Sequence, residues 1–153
     1  MFDARLSELG IVLPGPFPPH DPLDAVVVHN GVAHTSGVLP RDVNGELLAR
    51  GRLGADVTVE TGVECSALCV LNGLSLLRAE LGSLDAVMRV LSLIVFVASA
   101  EGFSEQPTVA DGASRVLVDV FGAAGRHTRS AIGVAALPRG APVELELTVA
   151  LAG

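Results

Sequence analysis

Arg129-Ser130-Ala131-Ile132-Gly133-Val134-Ala135-Ala136, then Leu137-Pro138-Arg139-Gly140-Ala141-Pro142, then Val143-Glu144-Leu145-Glu146-Leu147: this run decides the fold. Its first stretch reads as a small-residue strand opened by a guanidinium. Proline and glycine turn the chain, and the last stretch alternates apolar and acidic residues with the period of a strand. Val143, Leu145, Leu147 and Val149 therefore share one face, and Glu144, Glu146 and Thr148 the other. Two carboxylates two residues apart lie about 7 Å from each other. An arginine fixed at one strand start and a carboxylate on the next strand suit binding a small acid and orienting a water. The plainer alternatives are solvated strand charges or a structural ion pair, with Arg129 as the partner.

Upstream, Asn30-Gly31 separates Ala25–His29 from Val32–Ser36, a two-residue hairpin signal because a type I′ turn needs positive φ at both central positions. Asn44-Gly45 marks a second turn with short strands around it. Thr58 caps a long helix with apolar residues at Val63, Ala67, Val70, Leu71, Leu74 and Leu77, and Gly82 stops it. Leu84–Val87 is a single turn, and Val87–Ala98 reads as a strand that is apolar on both faces. Gln106-Pro107 starts a second helix, ended by Gly122 and Gly125. A short N-terminal helix from Asp3 to Leu9 and a stiff Pro14–Pro19 segment lie within residues 1–24 of one domain spanning 1–153. The expected fold class is α+β: a single mixed β-sheet with two helices packed on one face. The other, apolar face then calls for oligomerisation.

Composition removes several chemistries. All ten basic residues are arginine, so a lysine Schiff base and a P-loop lysine are excluded. The absence of tyrosine excludes a phenolic acid. A net charge of −7, scattered arginines and no Tyr or Trp disfavour nucleic acid as a partner. Half of the residues are hydrophobic, yet no apolar run approaches the ~18 residues that span a bilayer, so no membrane partner is expected. Met1-Phe2-Asp3-Ala4-Arg5 lacks the regions of a signal peptide, and a cytoplasmic location follows by default.

Other residues invite a functional reading beside a bland one. Ser36-Gly37 offers a hydroxyl and a closely approachable backbone N–H, or simply ends a strand. His29 and His34 share a hairpin face diagonally but lack a third ligand, so no metal site is expected. His127 stands beside Arg126 and near Arg129, as a pH-sensitive site residue or a loop histidine. Asp111 and Ser114, near the start of the second helix, are expected to face solvent rather than a ligand. Cys65 and Cys69, four apart, read as small core residues on one helix face.

Thr35-Ser36-Gly37-Val38-Leu39-Pro40, Val95-Phe96-Val97, and Arg129-Ser130 through Leu137-Pro138 to Val143-Glu144-Leu145-Glu146 resemble the RidA (YjgF) family from about Val26 to Val149. Gly112-Ala113-Ser114, Val120-Phe121-Gly122 and Gly125-Arg126-His127 look like a longer-chain branch of it. The resemblance implies a chorismate-mutase-like fold: a six-stranded mixed sheet with two helices on one face. Three copies form a trimer with a central barrel and ligand clefts between subunits. It implies hydrolysis of reactive enamine and imine acids to 2-keto acids and ammonia, without cofactor or metal, as in 2-iminobutanoate/2-iminopropanoate deaminases. By the same resemblance Arg129 binds the substrate carboxylate, Glu144 positions the attacking water, and Ser36, Gly37, Ser114 and Ala131 contribute to substrate binding in the cleft. Phe17 stands nearest the family's tyrosine, Ala131 where many members have cysteine, and Asp111 or Ser114 nearest a helix asparagine. The clamp is retained while the pocket walls change. Rival readings are a non-catalytic carboxylate-binding trimer, an endoribonuclease or translation inhibitor, and a chorismate-mutase-type rearrangement suggested by fold alone.

Overall fold

Thr58 begins the longest element. In the computed structural model, which describes residues 1–153, the Thr61 backbone N–H donates to Thr58 Oγ1 at 3.1 Å. That satisfies one of the first-turn amides that lack a helical partner. Two helices precede and follow: α1 (Phe2–Glu8) and α3 (Gln106–Phe121), with α2 (Val59–Leu81) between them. α2 stops at Gly82, whose φ of 84° is the left-handed conformation glycine takes without strain. By length and composition α2 could cross a membrane, although no unbroken apolar run does so. Its buried side chains, among them Cys65, Val70, Leu74 and Leu77, pack instead into the core against the sheet and α3.

The strands are β1 (Val26–His29), β2 (Val32–Thr35), β3 (Val87–Ala98), β4 (Thr128–Val134) and β5 (Val143–Leu151). Asn30 and Gly31 take φ of 50° and 76°, as the hairpin signal requires. The sheet order is β1-β2-β5-β3-β4, with β3 and β4 parallel and every other pair antiparallel. β5 thus threads between β2 and β3, and β4 is a free edge.

Three expectations are corrected. The sheet has five strands, not the six the resemblance implies. Val38 and Leu53 make only isolated bridges, Val38 to Leu145 and Leu53 to Val57 and Ser99. Pro40, which cannot donate to a ladder, and the positive-φ Gly51 and Gly54 interrupt what would be further strand. The Asn44-Gly45 turn forms, with Gly45 N–H donating to the Asp42 carbonyl at 2.9 Å, but only one bridge, Arg41 to Leu47, flanks it. The strand opened at Arg129 ends at Val134 rather than Ala136.

Register settles the faces. Val143, Leu145, Leu147 and Val149 are fully buried beneath α2 and α3, with Leu93, Val95 and Ala33 beside them. Glu144, Glu146 and Thr148 point to the open face, paired with Phe96, Ile94 and His34. Val27 and Ile132 are large apolar residues left exposed on that face.

Candidate functional site

Gly37 sits directly over Glu144. Val38 and Leu145 exchange two backbone hydrogen bonds, of 2.9 and 3.1 Å, which bring the end of the hairpin across the start of β5. A Cβ on Gly37 would lie 3.1 Å from both Cδ and Oε1 of Glu144. A side chain here would press on the carboxylate, and glycine leaves the backbone free to approach it. The Ser36 hydroxyl donates to the Asp24 carbonyl, leaving its oxygen free to accept. These residues line an open cleft of about 1260 Å³ together with Phe17, Asn72, Phe96 and Glu146. The Phe17 ring lies on the faces of Gly15 and Gly45 and forms one wall.

Partial burial pushes the Glu144 carboxyl above the usual carboxylate range, and the neighbouring Glu146 charge adds to it. Glu146 Oε1 lies 3.9 Å from His34 Nε2, and His34 Nδ1 is 2.6 Å from Thr148 Oγ1. The cleft floor is thus a polar row on the open sheet face, which also carries the apolar Val27, Ile94, Phe96 and Ile132. The Glu144 carboxylate there binds a proton more tightly than an ordinary glutamate does.

Arg129 is elsewhere. β3 lies between β4 and β5, and Arg129 pairs in register with Leu93, so its side chain turns toward the helices. Ala131, paired with Val95, takes the same side. Arg129 Nη1 donates to Asp111 Oδ1 at 2.8 Å and to Ser114 Oγ at 3.2 Å. Two expectations change: Asp111 and Ser114 do not simply face solvent but hold the arginine, and Arg129 does not pair with Glu144 or Glu146. His127 joins the cluster, with Nε2 2.9 Å from Ser114 Oγ and Nδ1 2.6 Å from the Gly125 carbonyl.

One copy therefore gathers Ser36, Gly37, Glu144 and Phe17 in a cleft, and Arg129, Ser114 and Ala131 across the sheet. Cys65 and Cys69 are fully buried; desolvation pushes the Cys65 thiol up to about 11 and Cys69 well above its ordinary value, so both are inert packing. No three His, Cys, Asp or Glu side chains converge to hold a metal ion. Sequence reading missed Arg41, Arg139 and Asn72 at the cleft. Asn72 Nδ2 donates to the Arg41 carbonyl at 2.9 Å and ties α2 to the cleft wall. A lone amide next to the apolar stripe of α2 was the available signal; the two arginines carried none.

A family model described as "YjgF/chorismate mutase-like, putative endoribonuclease" matches residues 4–146. The chain belongs to the YjgF family. Protein TCP17 of Trypanosoma cruzi is 44% identical over 149 residues, covering 97% of this chain and 92% of that one. A crystal structure of a protein of unknown function from Agrobacterium tumefaciens superposes with a TM-score of 0.90 at 36% identity, covering 99% of this chain and 94% of that one. One from Shewanella oneidensis, named a "putative endoribonuclease", gives 0.94 at 29% identity and 99% coverage of both. A Rid-family protein of unknown function from Yersinia pestis, 19% identical with a TM-score of 0.61 over 92% of this chain and 98% of that one, shares the fold.

Proposed function

We propose that this YjgF-family chain is a homotrimeric hydrolase that converts small enamine and imine acids to 2-keto acids and ammonia at clefts between subunits. The observation that carries this is Glu144: a half-buried carboxylate with raised proton affinity, beneath Gly37 on a cleft floor. Its complement, an arginine with free N–H groups, stands on the opposite sheet face at the β4 edge. A second copy placing its β4 edge over the cleft unites the two, and the exposed Val27 and Ile132 support burying the open face.

The chemistry needs little more. An enamine acid first tautomerises to the imine, whose carbon is electrophilic. Arg129 of the adjoining copy clamps the carboxylate and fixes that carbon above Glu144. Glu144 accepts a proton from water as the oxygen bonds to the imine carbon. That proton passes to nitrogen and gives a carbinolamine; Glu144 then carries the hydroxyl proton to the nitrogen as the C–N bond breaks, so ammonia leaves and a ketone remains. Nothing in this sequence requires a metal, a cofactor or a lysine. The closer superposition on the Agrobacterium and Shewanella proteins than on the Yersinia protein supports a place in a longer-chain branch. We place the reaction in the cytoplasm.

The test is 2-aminoacrylate generated in situ, with keto-acid release followed for the wild type, Arg129→Ala and Glu144→Gln. The reading expects acceleration by the wild type and loss of at least about a hundredfold in either variant. Keto-acid binding without turnover would make the chain a carboxylate binder instead. RNA cleavage lost on Arg129→Ala would favour the endoribonuclease reading, which the −7 charge and the acidic cleft floor oppose.

A further inference from the structure

We propose that Asp111 makes the Arg129 site selective for acids that carry a protonated nitrogen beside the carboxylate, that is zwitterionic 2-imino and 2-amino acids, over plain carboxylate anions. The inference rests on the reading of Arg129 as a carboxylate clamp and adds the residue that sets its charge preference.

Arg129 spends only one arm on the protein. Nη1 meets Asp111 and Ser114, while Nε and Nη2 make no protein hydrogen bond. The Nε/Nη2 edge is the one that grips a carboxylate through two parallel bonds. A carboxylate docked there lies beside the Asp111 carboxylate, which is 44% exposed and held 2.8 Å from Nη1. The neighbouring negative charge repels a second anion. It attracts an N–H carrying positive charge on the adjacent carbon. Arginine and aspartate side by side thus match a molecule that is itself negative and positive over one carbon–carbon bond.

The arginine does not depend on Asp111 for its pose. The Gly125 carbonyl can only accept, so His127 Nδ1 carries the hydrogen that points at it. In the neutral ring Nε2 then accepts from the Ser114 hydroxyl, whose remaining lone pair faces Arg129 Nη1. This relay anchors Nη1 independently, and asparagine at 111 still offers it an amide oxygen. Asp111→Asn therefore removes a charge and little else.

The experiment titrates the full-length protein with alanine and with pyruvate, which share a three-carbon skeleton and differ in the charge of the 2-substituent. The wild type is expected to bind alanine about fivefold more tightly than pyruvate, the scale of one part-exposed charge pair. Asp111→Asn is expected to abolish that preference and strengthen pyruvate binding, and Asp111→Glu to keep it. An alanine-to-pyruvate ratio unchanged in Asp111→Asn, or a wild type preferring pyruvate, overturns the selectivity and leaves the clamp standing. Binding of both ligands undiminished in Arg129→Ala overturns the clamp itself, and the selectivity with it.

Discussion

Glu144 owes its raised proton affinity to two causes that can be separated by mutation: partial burial first, the Glu146 charge second. A carboxyl whose folded pKa lies above its unfolded value binds protons more tightly in the folded protein. Its stabilising contribution is complete below the ordinary carboxylate range and is lost as pH rises through the raised value. In the proposed reaction Glu144 is the base and works only above that value, so the acid limb of the rate profile lies higher than for an ordinary glutamate. Glu146→Gln removes the second cause. The limb should move to lower pH and the loss of stability with rising pH should flatten, in kcat/KM profiles and urea unfolding across the acid range. A limb that stays in place would show that Glu144 does not govern it. Residue types were legible at this scale: alternation put Glu144 and Glu146 on one face, and Arg129 stood out. Which side Arg129 faces was not, because it depends on pairing with Leu93, thirty-six positions earlier in the chain. Asp111 and Ser114 looked like solvent-facing helix residues until that pairing brought the guanidinium to them.

At the scale of elements, α2 and α3 are packed closely enough to constrain the site. A Cβ on Gly112 would fall 2.1 Å from the Val63 carbonyl oxygen, a backbone atom that cannot step aside. Ser66 reinforces the crossing, its Oγ accepting from the Ala113 N–H at 3.1 Å. Gly112 is adjacent to Asp111, so forcing the helices apart also moves the groups that hold Arg129. Gly112→Ala should cost about 3 kcal/mol or more of stability, read from urea unfolding, and a fall of under about 0.5 kcal/mol would contradict the close crossing. The elements themselves were readable from local chemistry: Asn30-Gly31 for the hairpin, Thr58 and Gly82 for the ends of α2, Gln106-Pro107 for the start of α3. The missing sixth strand was not, since Val38 and Leu53 make only isolated bridges and proline and glycine backbone geometry interrupts the chain around them.

At the scale of the whole molecule, strand order β1-β2-β5-β3-β4 separates what the chemistry needs together. Glu144 looks out from one face near the centre of the sheet; Arg129 lies under the other at its edge. No side-chain rotation joins them through a hydrogen-bonded sheet, so the proposed reaction stands or falls on a second copy. The most direct test mixes subunits of two inactive variants, Arg129→Ala and Glu144→Gln, by unfolding and refolding them together. A cleft that takes Arg129 from a Glu144→Gln copy and Glu144 from an Arg129→Ala copy is intact. Random assembly makes about one cleft in four of this kind, so the account predicts about a quarter of the wild-type rate of keto-acid release from 2-aminoacrylate. Mixed assemblies that form yet stay as inactive as either parent would contradict it.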